Sequence, residues 1–168
     1  VYDFNAAQVV DALSKASNIN AAVKSYLKRQ ASSQGAEAAR FAKTLREVLQ
    51  SGNSERATSF IAKHLEVQRG ALLSVGACAH AEVIESVTAK VIEKYADDFN
   101  MTYELDGEEI KVTKPKEFEK ISQQAIAMID AHLKEQDLAG SSFVKAIAVS
   151  ALFDGKVLKE LDRCGLLS

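Results

Sequence analysis

Alanine, used freely almost everywhere else in the 168-residue chain, is missing from residues 97–124, and the single proline, Pro115, falls inside that window. Within it, Met101-Thr102-Tyr103-Glu104-Leu105 and Glu108-Glu109-Ile110-Lys111-Val112-Thr113 flank Asp106-Gly107. The alternation on both sides reads as two short strands, because successive side chains of a strand point to opposite faces. Asp-Gly between them is the composition of a two-residue type I′ turn, which needs positive φ at both positions. A β-hairpin is therefore predicted over about residues 101–113, with Tyr103, Leu105, Ile110 and Val112 on one apolar face. The constraint is strong because a two-stranded hairpin is marginal in water and has to lie on its own domain or on a partner.

The rest of the chain reads as helices. Asn5 caps a first helix whose Val9, Val10 and Leu13 cluster on one face, and Val23, Tyr26, Leu27 and Ala31 mark a second with Gly35 as its stop. Phe41, Leu45, Val48 and Leu49 place a third that ends at Gly52. Asn53 or Ser54 caps a fourth with Ala57, Phe60, Ile61, His64 and Leu65 inward, and Gly70 marks its end. A fifth helix, over about residues 71–99, is apolar on nearly every side as far as Ala81 and then narrows to a stripe of Val83, Ile84, Val87, Val91 and Tyr95. A helix apolar all round is a buried one, so this is the expected central element.

After the hairpin, Pro115 sits where a missing N–H costs little, at the start of a helix with Phe118, Ile121, Ala125, Met128, Ile129 and His132 along one side. Ser141 or Ser142 caps an apolar helix carrying Phe143, Val144, Ile147 and Leu152, which Asp154-Gly155 breaks. A last short helix bears Val157, Leu158 and Leu161, with Gly165 as its C-terminal cap and Leu166 as the accompanying contact. The predicted fold is all-α, a single-domain bundle of about seven or eight helices with one inserted hairpin.

Composition agrees with a globular chain: 47% of residues are hydrophobic and 26% charged, and tryptophan is absent, which implies a core of small and aliphatic side chains. No window reaches the ~18 uninterrupted apolar residues needed to span a bilayer, so no transmembrane segment is predicted and the chain reads as soluble. Cys78 and Cys164 are too few and too far apart for a disulfide scaffold; one bridge between helices is compatible with them, but their apolar helical surroundings favour two reduced thiols. Residues 1–70 carry ten basic and six acidic side chains, and residues 71–168 carry eleven and seventeen. Neither imbalance by itself implies nucleic acid or an anionic membrane.

Chemistry-bearing residues are sparse. The string Ala77-Cys78-Ala79-His80-Ala81-Glu82-Val83 resembles the first half of the zinc nucleoside-deaminase signature, in which a histidine ligates zinc and a glutamate shuttles protons. The second half, Pro-Cys-x-x-Cys, is absent, so the ligand set implied by that resemblance is not assembled. On a helix Cys78 and Glu82 share a face, whereas His80 is rotated about 200° from Cys78, and the three do not converge on one ion. His64 and His132 fall on apolar faces, where a histidine is expected to bond a carbonyl. No nucleophile elbow, Gly-rich phosphate loop or distinctive carboxylate pair is present, so no catalytic residue, cofactor or metal is assigned.

Lys24, Lys28, Arg29, Arg40, Lys43 and Arg46 form a basic stretch interrupted only by Glu37. The leading expectation is a non-catalytic interaction module, a structural subunit of a larger protein assembly. Its contacts would be the hairpin face, Tyr103, Leu105, Ile110 and Val112, together with Arg40, Lys43 and Arg46. Two alternatives are kept: an α-helical carrier of a lipid or other apolar ligand, and a nucleic-acid binder using the basic helices with Tyr26 or Phe41 stacked on bases.

Overall fold

In the computed structural model, which describes residues 4–16, 18–29, 35–138, 140–153 and 155–166, helix boundaries fall where side chains or turns satisfy the free backbone groups of helix ends. Helix α1 (Ala6–Ser14) opens with a capping box: the Asn5 side chain accepts from the Gln8 N–H at 3.0 Å, and Gln8 accepts in return from the Asn5 N–H at 3.1 Å. Helix α2 (Ile19–Arg29) follows, and α3 (Ala36–Gln50) terminates before Gly52, which has φ +72°. Asn53 accepts from the Arg56 N–H to start α4 (Ser54–His64). Helices α5 (Arg69–Ala79) and α6 (Ala81–Asn100) lead into strands β1 (Tyr103–Asp106) and β2 (Glu109–Val112). Helix α7 (Pro115–Glu135) has Pro115 in its first turn. The Ser141 hydroxyl accepts from the Val144 N–H at the start of α8 (Ser142–Leu152), and α9 (Gly155–Arg163) is the last element.

The fold is all-α with one inserted antiparallel hairpin, and the described residues form nine helices. The ninth arises because the long fifth helix of the sequence reading is two. At His80 the backbone leaves helical geometry (φ −117°, ψ 30°), and the His80 ring Nε2 donates to the Ala12 carbonyl at 2.9 Å. Ala12 lies in the last turn of α1, where carbonyls lack intrahelical partners, so a ring on a distant segment completes that helix end.

Two glycines also play different parts from those their spacing implies. Gly35 precedes α3 at φ −93°, a negative angle that makes it an N-terminal residue and not a left-handed stop for α2. Gly70 lies inside α5 and does not end α4. Ala31 and Asp154, assigned above to a helix face and a helix break, lie outside the described residues. The caps at the far end hold as read: Gly165 (φ +76°) donates to the Asp162 carbonyl and Leu166 to that of Leu161, the paired bonds of a Schellman motif. Helix α7 ends the same way without a glycine, on Asp137 at φ 58°, with Leu138 donating to Leu133 at 2.8 Å.

Packing divides the chain into two compact units. One, the helical unit, comprises Phe4–Ala81 and Ser141–Ile147; the other, the hairpin unit, includes Glu82–Gly140 and Ala148–Ser168. In the helical unit α5 touches α1, α2 and α3, while α4 packs on α1 and α3. Its core includes Leu13, Val23, Leu45, Ile61, Leu72 and Phe143, each at most 1% exposed. Gly76 explains how α5 approaches residues 141–147 so closely: a Cβ built there would lie 2.6 Å and 2.7 Å from two atoms of the Phe143 ring and would also meet Ile147. In the hairpin unit, Phe99 of α6 packs its ring against Phe118 and Phe153, with centroids 5.1 Å and 5.2 Å away.

Candidate functional site

The hairpin register pairs Tyr103 with Val112, Glu104 with Lys111, Leu105 with Ile110 and Asp106 with Glu109. The two turn residues are therefore Gly107 and Glu108, not Asp106 and Gly107. Gly107 has φ +62° and Glu108 does not share a positive angle, the type II′ pattern and not the type I′ pattern expected. The register has a physical reason, because it sets apolar side chains opposite apolar ones on one face.

The base of the hairpin is tied at Thr102, which is fully buried. Its hydroxyl donates at 2.6 Å to the Phe99 carbonyl in the last turn of α6, which also accepts from the Thr102 N–H at 3.1 Å. Its own carbonyl accepts from the Thr113 and Lys114 N–H groups at 2.9 Å and 3.1 Å. Strand β2 lies beside α9 in the same unit, and Tyr103, Ile110 and Val112 are half-buried. Tyr103 meets Phe99 edge-on at 5.7 Å, and its hydroxyl donates to Asn100 at 3.0 Å. Leu105, nearer the tip, is 63% exposed.

Beneath the hairpin stem is a groove of about 140 Å³. Helix α6 forms one wall with Val91, Ile92, Ala96 and Phe99. Leu152, Phe153 and Val157 form another wall, Ala125 also lines it, and Tyr95, Asn100 and Tyr103 supply its polar edge. Among the described residues, four large apolar side chains are prominently exposed: Val67, Ile92, Met101 and Leu105. One of the four lines this groove, and two more are close along the chain to residues that do. Ile92, 50% exposed, lines it; Met101, 63% exposed, lies in sequence between the lining residues Asn100 and Tyr103; Leu105 is on the same strand face as Tyr103, two residues on.

No family model, curated protein or solved structure matches the chain. Its function is therefore argued from the site.

The basic residues lie elsewhere, on the helical unit. Arg40 and Lys43 are exposed on α3, on the side away from the buried Phe41 and Leu45, and Arg46 is half-buried one turn beyond the buried Ala42. Arg40 edges a second, polar groove of about 230 Å³, together with Glu37, Thr44 and Gln68. Its aromatic wall is Phe41 stacked on Phe60, with centroids 5.1 Å apart, and the His64 ring 4.6 Å from Phe60. The His64 Nδ1 donates to the Phe60 carbonyl at 2.9 Å, as expected of a boundary histidine. Tyr26 is 2% and Phe41 6% exposed, so neither presents a face for base stacking.

The remaining singled-out residues do not converge. His80 is committed to Ala12, and burial pushes its imidazole below the usual range, partly offset by that hydrogen bond. Glu82 is exposed and Cys78 half-buried. Both cysteines are free thiols, but Cys164 is exposed just beyond α9 and so is not the buried small hydrophobe the sequence implied. His132 is buried without the carbonyl partner expected of it: its Nε2 has no hydrogen bond among the described residues, and its Nδ1 is 3.7 Å from Glu135. No group of three or more His, Cys, Asp or Glu among the described residues is placed to hold a metal ion. No single helix there is long and apolar enough to cross a membrane.

The groove was missed in the sequence because five separate segments build it. One signal was available: Ile92 is apolar but falls outside the stripe of Val87, Val91 and Tyr95 that turns α6 inward.

Proposed function

We propose that this chain is a non-catalytic interaction module, a subunit of a protein assembly, and that the groove beneath the hairpin receives an apolar side chain of a partner protein. The observation that supports the reading is an apolar groove lined by the exposed Ile92, with the exposed Met101 and Leu105 one and two residues along the chain from its lining residues Asn100 and Tyr103. Soluble proteins seldom leave such a patch open unless something covers it. Burying a single Leu- or Phe-sized anchor there is worth about 1.5–3 kcal/mol, the energy scale of an interface hot spot.

The size of the groove argues for a side chain over a lipid. A cavity of about 150 Å³ is known to hold a benzene-sized guest, whereas sites for larger ligands run from about 300 Å³ upward. A nucleic-acid surface gains no support from the buried Tyr26 and Phe41.

A photo-crosslinking amino acid placed at Ile92 or Leu105, with the protein in extract of its native source, tests the reading. A discrete protein adduct at these two positions, absent when the probe is at the exposed Glu55, is the expected result. Adducts at Lys43 alone would move the contact to the basic face of α3. Indiscriminate labelling, or none, at Ile92 and Leu105 would remove the groove's assigned role.

A further inference from the structure

Charge is distributed unevenly around the groove. Residues 93–112, which supply part of the α6 wall and the hairpin, contain seven acidic side chains and two basic ones. The seven are Glu93, Asp97, Asp98, Glu104, Asp106, Glu108 and Glu109, all of them exposed. None makes a side-chain ion pair or hydrogen bond among the described residues, whereas Asp11, Glu66, Glu117 and Glu160 each pair with a lysine or arginine. Glu93 and Asp97 stand on α6 three residues before the lining residues Ala96 and Asn100, with Glu93 about 20° around the helix from Asn100 and Asp97 about 60°. The hairpin carboxylates lie on its turn and on the strand face opposite Tyr103 and Leu105, and add to the negative charge of this unit. Helix α9 contributes Lys156, Lys159 and Arg163 against Glu160 and Asp162, and the Arg163 guanidinium is already paired with Glu160 at 2.7 Å. The hairpin unit as a whole, over residues 82–140 and 148–168, has ten basic and seventeen acidic side chains.

We infer that the groove's partner is a cationic protein segment: one bulky apolar residue that enters the groove, flanked by Lys or Arg that face the unpaired carboxylates of α6 and the hairpin. The inference rests on the interaction reading above and adds the chemistry of the partner to it. The apolar anchor supplies the holding energy, while the acidic surround selects among segments that carry such an anchor and speeds their capture.

The test is selection from a display library of random 15-residue peptides on the immobilised full chain, with the groove-filling variant Ala96→Phe as counter-target. Peptides that bind the natural sequence and not Ala96→Phe are expected to carry a Phe, Leu or Met flanked by two or more Lys or Arg. Their affinity should fall about tenfold in Glu93→Lys/Asp97→Lys, and by less at high salt. If Ala96→Phe fails to fold, Ile92→Glu, at a half-exposed position, replaces it. Groove-dependent peptides that are neutral or acidic would overturn the charge inference and leave the groove reading standing. Absence of any groove-dependent peptide would overturn both. Sedimentation showing a dimer that Ala96→Phe dissolves would make a second copy the occupant and end the proposal of a cationic segment.

Discussion

Replacing Gly76 by alanine tests whether a missing side chain sets the spacing inside the helical unit. A Cβ at this position falls 2.6 Å and 2.7 Å from Phe143 ring atoms, against the ~3.5–4.0 Å at which carbon atoms pack. The ring, 0% exposed and held edge-on to Phe4 at 5.5 Å, has to withdraw by about 1 Å. Overpacking of that kind costs about 1–3 kcal/mol, and the helix propensity gained on replacing glycine returns about 1 kcal/mol. Gly70 is the control in the same helix, because nothing lies within 4 Å of its added Cβ and it has no positive φ. Gly70→Ala should therefore be neutral or stabilising, and the two variants should differ by about 1–3 kcal/mol, which is about 2–12 °C in Tm for a chain of this size. Thermal unfolding followed by calorimetry and by circular dichroism measures the difference. Shortening the opposing ring with Phe143→Leu should recover part of the Gly76→Ala loss in a double-mutant cycle. Equal melting of Gly76→Ala and Gly70→Ala would refute the argument that this glycine is required by close approach.

Three further outcomes follow from single residues. Because burial depresses the His80 pKa below its unfolded value of about 6.5, the unfolded chain binds the proton more readily; the stabilisation is complete above that value and is lost as pH falls below it. Urea midpoints should decline from pH 7.5 to 5.5, and His80→Gln should flatten that slope; an unchanged slope would count against the assignment. Asp137→Gly removes the steric cost of the left-handed residue that ends α7 and should raise stability by about 0.5 kcal/mol, read as a higher urea midpoint. A thiol reagent should modify Cys164 at once and Cys78 slowly, with Cys164→Ser abolishing the fast phase.

The helices were legible wherever local chemistry decides them. Asn5, Asn53, Ser141, Pro115 and Gly165 act at the ends where their side chains or backbone freedom are useful, and these roles depend on neighbours within four residues. The His80 break was not legible, since Ala79 and Ala81 on either side are strong helix formers and the competing bond reaches Ala12, 68 residues away. Asp106-Gly107 announced a hairpin, yet cross-strand pairing of Leu105 with Ile110 moved the turn by one residue. Asp137 gave no signal because a left-handed aspartate has no sequence mark comparable to glycine. The solvated setting of Arg40 and Lys43 could be read from the opposite spacing of Phe41 and Leu45. The groove exists only after several segments meet, and periodicity along one segment cannot encode that.

Thr102 gives the hairpin a particular standing in the history of such a chain. Its carbonyl receives Thr113 and Lys114 while its hydroxyl closes α6, so the ten residues between leave from and return to one anchored point. A segment that leaves and returns at one point, its stem resting on Phe99 and α9, can be lengthened or replaced toward its tip without re-threading the helices on either side. Divergence of recognition is then available at low structural risk: descendants of one bundle could exchange the loop beyond Thr102 and acquire different partners while keeping α6 and α7 intact.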